Sequence, residues 1–353
     1  MNILIFTAGF GMGHVRAADA IKEKLIDKDN DTNVKTVDFI ECISPVFSKC
    51  IYSGFENVVN KHSDMYNKMY NVFDKNNMIP FKGIITAKIE NLINNFKADA
   101  VVVTIPICAY YLSELKKKKE LNIPIYTVIT DIDAHDAWIG EGITEYFVGS
   151  SKTKDMLIKR GINADRVVVS GVPVHKCFIC AADEDASARE KNILFMGGGL
   201  GMIPDSDRLF NELSKRNDIK VTLIAGKNEM LRRKMEKKFP GIEVIGYTEH
   251  VEDYMKKADL LISKAGGITT FEAINSLTPI YVIKPFLEQE KANASYIEEN
   301  SIGEVVWGGR FENITRDIMR LLDDDKRFTD MRSNMKQIRC RLLDSSIANE
   351  IIA

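Results

Sequence analysis

Twelve short apolar runs, spaced by helix-length amphipathic stretches, limit this chain to very few folds. The first half holds "NILIFTA", "VKTVDFI", "ADAVVVT", "IPIYTVIT", "EYFVGS" and "RVVVSG". The second half holds "NILFMGGG", "IKVTLIAG", "IEVIGYT", "ADLLISKAGG", "TPIYVIKP" and "GEVVWGG". Several lack the polar alternation of a half-solvated strand, as expected for parallel strands buried on both faces. Stretches such as "AADAIKEKLID" and "NEMLRRKMEKKF" between them carry apolar residues at helical spacing. Alternating β and α elements predict an α/β chain with doubly wound, Rossmann-like parallel sheets. A length of 353 residues exceeds one ordinary core and suits two. The rhythm breaks between Pro173 and Glu190, where "CFICAADEDASARE" is small and acidic. The expected domains are residues 1–175 and 191–334, with 176–190 as linker. A helix over about 335–353 is expected to pack back on the first domain. Open sheets bind ligands at the carboxyl ends of their strands, so two of them suggest a cleft.

Other totals narrow the function. Net charge is −2, with 45% hydrophobic and 28% charged residues, so nothing points to a nucleic-acid partner. Of six cysteines only Cys177 and Cys180 form a C-x-x-C, and no second pair completes a zinc site. The opening "MNILIFTAGF" lacks the basic flank of a signal peptide. No run approaches the roughly 20 apolar residues of a membrane span. A cytoplasmic location is expected, with lodging on a membrane surface still open.

The glycine loops carry the chemistry. "GFGMGH" puts Gly9, Gly11 and Gly13 after the first strand and closes on His14. A dinucleotide fingerprint needs its last glycine where His14 stands, which weighs against NAD although Asp38 ends the second strand. "AGKN" at 225–228 lacks the flanks of a Walker loop. In the second half "FMGGGLG" follows one strand, and "SKAGGITTFEAI" follows another and opens a helix. Thr269 is expected to cap that helix, and its N-terminal amides favour an anion. Two such loops suggest a diphosphate. "KPFLEQEKANASYI" adds Glu288, Gln289, Glu290 and Asn293 at the same edge, carboxylates and amides suited to sugar hydroxyls.

In order along the chain, "GFGMGH", "TDIDAHDAW", "GGGLG", "SKAGGITTFEA" and "EQEKANA" resemble the glycosyltransferases that make glycosyl-diacylglycerols. These are the bacterial diacylglycerol glucosyltransferases and the plant monogalactosyldiacylglycerol synthases. The N-acetylglucosaminyl transferase of the peptidoglycan lipid precursor is a more distant relative. The resemblance implies a GT-B fold, a UDP-sugar in the C-terminal domain, a lipid acceptor at the N-terminal domain, and inversion without metal or cofactor. It implies that Gly198, Gly199, Gly201, Gly266, Gly267 and Thr269 face the donor diphosphate. Glu272 would take the ribose, Gln289, Glu290 and Asn293 the sugar, and the backbone at Tyr247 and Thr248 the uracil. His14 and Asp131 are the candidate bases, with Gly11, Gly13, His135 and Trp138 beside the acceptor. Glu288 stands where relatives often have glycine and Met12 where they often have a smaller or polar residue. The sugar therefore stays open, with UDP-glucose ahead of UDP-galactose.

A lipid acceptor requires contact with a bilayer. Residues 60–84, "NKHSDMYNKMYNVFDKNNMIPFKGI", place Tyr66, Met69, Tyr70 and Phe73 on one helical stripe. Lys61, Lys68, Lys75 and Lys82 recur every seven residues beside it. That pattern suits an anionic membrane surface on the inner face of the cell membrane, and equally a helix packed on its own domain. A UDP-N-acetylglucosamine-dependent transferase to a polyprenyl-linked or soluble glycan, and a nucleotide-sugar-binding protein without catalysis, are the alternative readings.

Overall fold

The computed structural model describes residues 1–61, 82–119, 121–179, 190–198, 207–308, 311–343 and 347–352. They divide into two compact units. One holds Met1–His175, Leu287–Gln289 and Leu342–Ala353; the other holds Lys176–Phe286 and Glu290–Arg341.

In the first unit β1 (Asn2–Thr7), β2 (Asn33–Asp38), β3 (Ala100–Val103), β4 (Ile125–Val128), β5 (Glu145–Val148) and β6 (Val167–Val169) form one parallel sheet. Its order is β2-β1-β3-β4-β5-β6. Strand β1 shows why the runs lack alternation. Ile3 and Ile5 enter the core on one face, Leu4 and Phe6 the core on the other, and all four are fully buried. Helix α1 (Gly13–Lys28) lays Ala18, Ile21 and Leu25 on the first face. The run "VKTVDFI" is strand only as far as Asp38. There the carboxylate accepts from Glu41 N–H at 3.0 Å and starts α2 (Phe39–Ile43). Helices α3 (Ser48–Lys61), α4 (Lys82–Phe96), α5 (Pro106–Lys119) and α6 (Ser151–Lys159) follow. Helices α4 and α5 cover the second face through Ile85, Ile89, Ile93, Cys108 and Leu112.

In the second unit β7 (Lys191–Met196), β8 (Ile219–Ile224), β9 (Glu243–Ile245), β10 (Leu260–Ser263), β11 (Ile280–Ile283) and β12 (Gly303–Val306) form another parallel sheet. Its order is β12-β11-β10-β7-β8-β9. Counted from β7, that is the 3-2-1-4-5-6 order of a Rossmann sheet. Its helices are α7 (Asp207–Leu213), α8 (Glu229–Lys238), α9 (Val251–Met255), α10 (Gly267–Ser276), α11 (Glu288–Glu299), α12 (Phe311–Leu322) and α13 (Asp325–Leu343). Residues 344–346, within the carboxy-terminal stretch expected as helical, lie outside the described residues. After α13, the short α14 (Ile347–Ile351) places Ile347, Ala348 and Ile351 in the α1 face of the first unit. At the start of the expected linker, Lys176–Phe178 makes a 3-10 turn whose Phe178 is buried. Residues 180–189 lie outside the described residues.

The order in which strands are added reverses between β1 and β3 in one sheet and between β7 and β10 in the other, all strands staying parallel. Such switch points open a crevice at the carboxyl ends of the strands. Both glycine-rich stretches of interest stand at these points, "GFGMGH" after β1 and "SKAGG" after β10. Among the described residues no helix is long and apolar enough to cross a membrane.

Candidate active site

In the first unit the loop after β1 is held from below. Gly9 N–H donates to the Tyr52 hydroxyl at 3.0 Å, and that hydroxyl donates to the Asp38 carboxylate at 2.6 Å. Burial, reinforced by Asp38, pushes the Tyr52 phenol far above its ordinary range, so it stays a donor. Asp38 is thereby engaged twice, by Tyr52 and as the cap of α2. This is not the ribose-binding acid of an NAD site. Phe10 packs edge-on against Tyr52, ring centroids 5.2 Å apart. Gly11 has φ +74° and open space around it, so its backbone angle, and not crowding, calls for glycine. Helix α1 then starts at Gly13, with Met12 in the cap position and no side chain capping it. Its first amides suit an anion or a developing negative charge.

His14 lies in that first turn, partly buried. Its Nδ1 is 2.9 Å from the Thr130 hydroxyl. Its carbonyl accepts from the Thr104 hydroxyl at 3.2 Å. Trp138 stands beside the ring, with centroids 6.4 Å apart. Burial pushes the His14 pKa down, opposed by the Asp131 carboxylate and the Thr104 backbone. The ring is therefore neutral near pH 7. The Nδ1–Thr130 contact admits either direction of donation; in the tautomer where Nδ1–H donates, Nε2 carries the lone pair that a general base needs. Thr130 and Thr104 escape motif reading because each looks like the last residue of a buried strand. Their signal is position: both close an apolar run at the carboxyl edge of the sheet.

Asp131 follows Thr130 directly and is close enough to act on His14 through its charge. It caps no helix. The stretch "DIDAHDAW" is a pinned loop ending in the 3-10 turn Asp136–Trp138. Thr153 on α6 donates to the Ile132 carbonyl at 2.9 Å. Arg160 donates to the Ala134 carbonyl and pairs with Asp136 at 3.0 Å. Trp138 differs from expectation. It is 1% exposed, a member of the core standing between the rings of His14 and His135, and it offers no surface to an acceptor. His135 is half-buried at the start of the turn.

In the second unit β7 ends at Met196, and Gly198 turns with φ +69°. Gly199 and Gly201 lie outside the described residues. Ser263, closing β10, donates to the Met196 carbonyl at 2.6 Å and so ties the two switch-point strands together. Helix α10 begins at Gly267 with Gly266 in the cap position. Thr269 is the third residue of the helix and makes no cap bond. A glycine in extended conformation, φ −79° and ψ 141°, has replaced the capping side chain, leaving the first amides to backbone partners or a ligand. Glu272 is 2% exposed on that helix.

Helix α11 carries Gln289, Glu290 and Asn293. Asn293 is fully buried and donates to the Ala265 carbonyl at 3.0 Å. It holds the "SKAGG" turn against α11. Glu290 is 2% exposed, and among the described residues neither oxygen has a partner in hydrogen-bond geometry. Its charge is met by Lys264 Nζ at 3.2 Å, a residue that no motif singled out. A buried carboxylate without directed donors costs free energy, and sugar hydroxyls are donors of the right kind. Tyr247 is exposed, with Lys227 Nζ 5.9 Å from its ring centre. Thr248 accepts from His250 N–H at 3.1 Å.

Known proteins give this geometry a context. Residues 14–174 match the family model for monogalactosyldiacylglycerol (MGDG) synthase, and residues 200–344 the C-terminal domain of glycosyltransferase family 28. A processive diacylglycerol β-glucosyltransferase of Bacillus licheniformis is 26% identical over 99% of this chain and 94% of its own. One from Staphylococcus aureus is 28% identical over 99% and 92%. Among solved structures, Acinetobacter baumannii MurG aligns with TM-score 0.62 at 16% identity, covering 95% of this chain and 94% of that one. Anabaena Alr3699/HepE, solved in complex with UDP, aligns with TM-score 0.59 at 12% identity, covering 100% and 98%. Those likenesses give the fold, which is GT-B. With a match to the MGDG synthase model followed by one to the family 28 C-terminal domain, the chain is similar over nearly its whole length to the diacylglycerol glycosyltransferases that its motifs resemble.

Proposed function

We propose that this protein transfers a hexose, with inversion, from a UDP-sugar to the free hydroxyl of diacylglycerol, and that glucose is the sugar. The observation that carries the mechanism is the imidazole of His14 in the first turn of α1, held 2.9 Å from the Thr130 hydroxyl. His14 Nε2 takes the proton of the acceptor hydroxyl. The acceptor oxygen attacks the anomeric carbon from the face opposite UDP. The carbon–oxygen bond to the β-phosphate breaks, and its electron pair leaves with UDP. Asp131 favours the imidazolium that forms. In the donor unit the turn at Gly198 and the amides of Gly266 and Gly267 meet the diphosphate, Glu272 the ribose and Glu290 the sugar, which Gln289, next to Glu290 on α11, also takes. The backbone at Tyr247 and Thr248 takes the base. Asn293 acts by holding the turn at Ala265.

Diacylglycerol stays in the bilayer, so the first unit docks on the inner face of the cell membrane. Of the segment 60–84, residues 62–81 lie outside the described residues. Its flanks support the reading. Val46, Phe47, Ile51 and Ile84 are exposed on α3, α4 and the turn before α3. Lys49, Lys82 and Lys88 are interspersed, and Lys88 reaches the Ile43 carbonyl at 2.7 Å, bringing α4 alongside α2. Apolar side chains among lysines suit an anionic interface.

The test is product analysis. Purified protein is incubated with diacylglycerol in anionic liposomes and, separately, UDP-glucose, UDP-galactose and UDP-N-acetylglucosamine, and the lipids are read by mass spectrometry. The expected product is hexosyl-diacylglycerol from UDP-glucose. Turnover only with UDP-N-acetylglucosamine and a polyprenyl-linked acceptor would replace the acceptor assignment. UDP binding without any product would leave a nucleotide-sugar-binding protein.

A further inference from the structure

Lys264 lies between the end of β10 and Gly266, the cap of α10, at the switch point of the second sheet. Two contacts define its position. Its Nζ is 3.2 Å from Glu290 Oε1. Its Cε lies 3.3 Å from where a Cβ on Gly198 would stand. The stem therefore runs beside the β7 turn, and the absence of a side chain at Gly198 gives it room. The pair is asymmetric. The Glu290 side chain is 3% exposed and that of Lys264 is 29%. Lysine has three donors, and neither Glu290 oxygen receives one in hydrogen-bond geometry among the described residues. The lysine is thus held by charge and by packing of its stem, with its side chain 29% exposed beside Gly198 and the turn that opens α10. A pair built for stability alone would be closed by directed hydrogen bonds, because desolvating both charges otherwise outweighs their attraction.

We propose that Lys264 is the cation that binds the terminal phosphate of a nucleoside diphosphate, and that Glu290, anchored by the same lysine, is thereby aimed at the transferred sugar. The inference rests on the reading of the second unit as the donor site. During transfer the bond between the anomeric carbon and the phosphate oxygen breaks, and the electron pair stays on that oxygen. The terminal phosphate gains one negative charge, and an ammonium beside it offsets that charge where it develops. Lysine suits the task as a compact point charge with freely rotating donors.

The test compares UDP with UMP, which lacks the terminal phosphate. Calorimetric affinities for both are measured on the full chain, on K264M, K264R and E290Q, and on the double variant K264M/E290Q. The double variant removes both charges, so no buried carboxylate is left unpaired. Wild type is expected to prefer UDP over UMP. K264M and the double variant keep their UMP affinity and lose about tenfold to hundredfold of the UDP preference, the worth of one charge-assisted hydrogen bond. K264R recovers part of it, and E290Q keeps the preference. A double variant that melts like wild type and retains the wild-type UDP-to-UMP ratio overturns the assignment of Lys264. A wild-type chain that binds neither nucleotide overturns the donor-site reading itself, and the lysine with it.

Discussion

At the scale of single residues, the proposed mechanism gives the chemistry of the first unit to His14, with the Thr130 hydroxyl 2.9 Å from its ring. General-base catalysis contributes on the order of 10²–10⁴ in rate. His14→Ala is therefore expected to lower kcat by about that factor while leaving UDP affinity unchanged, read by initial rates and calorimetry. The pH dependence has a definite sign. The folded-state pKa of His14 lies below its ordinary 6.5. Between those two values the unfolded chain binds more protons than the folded one. Stability from this group is then complete above about 6.5 and falls as pH drops toward the folded value. Activity that needs neutral His14 holds to a lower pH than a free imidazole would allow, which a pH profile of kcat/KM checks. Thr130→Val removes the 2.9 Å contact. It should cost about tenfold in kcat at nearly constant KM, with Thr130→Ser restoring most of the rate. His14 stands out as a candidate in the sequence because a histidine closing a glycine turn is conspicuous. Thr130 does not, because a threonine ending an apolar run looks like strand until the fold brings residue 130 to residue 14.

At the scale of elements, the glycine loop owes its shape to α3 as much as to its own glycines. Tyr52 on α3 bridges Gly9 N–H and Asp38. Tyr52→Phe strips both of that partner and is expected to destabilise the first unit by about 1–3 kcal/mol. A lowered melting transition, with faster amide exchange across Gly9–Met12, checks it. Asp38 shows where linear reading misleads. Its place at the end of β2 suggests a ribose ligand, yet it caps α2 and receives Tyr52, both partners that come from later in the chain. Thr269 shows the same limit on a shorter scale. Its type suits a helix cap, but the glycine pair moves the start of α10 three residues earlier. Trp138 resembles an acceptor-facing aromatic in a polar loop, and burial between two histidines assigns it to the core.

At the scale of the whole molecule, the proposed attachment to a bilayer and the proposed transfer chemistry can be tested separately. Phe47→Glu combined with Ile84→Glu places charge in the exposed apolar set of the first unit. Sedimentation with anionic vesicles should fall by about tenfold or more, since each exposed apolar side chain contributes roughly 1.5 kcal/mol when buried. UDP binding should not change. The sequence alone determined the architecture of both units: each of the twelve apolar runs contains a strand, and the central ones, buried on both faces, read as the parallel sheet they form. It also determined which loops lie at the functional edge, because glycine spacing and the β-to-α rhythm are local properties. Tertiary structure alone decided which side chains meet. Thr130 reaches His14, Lys264 reaches Glu290, Tyr52 reaches Gly9, and Asn293 holds Ala265 through contacts between residues far apart in the chain. Periodicity reports the face on which a residue lies. The partner it meets there depends on strand order and crossover, which no local pattern encodes.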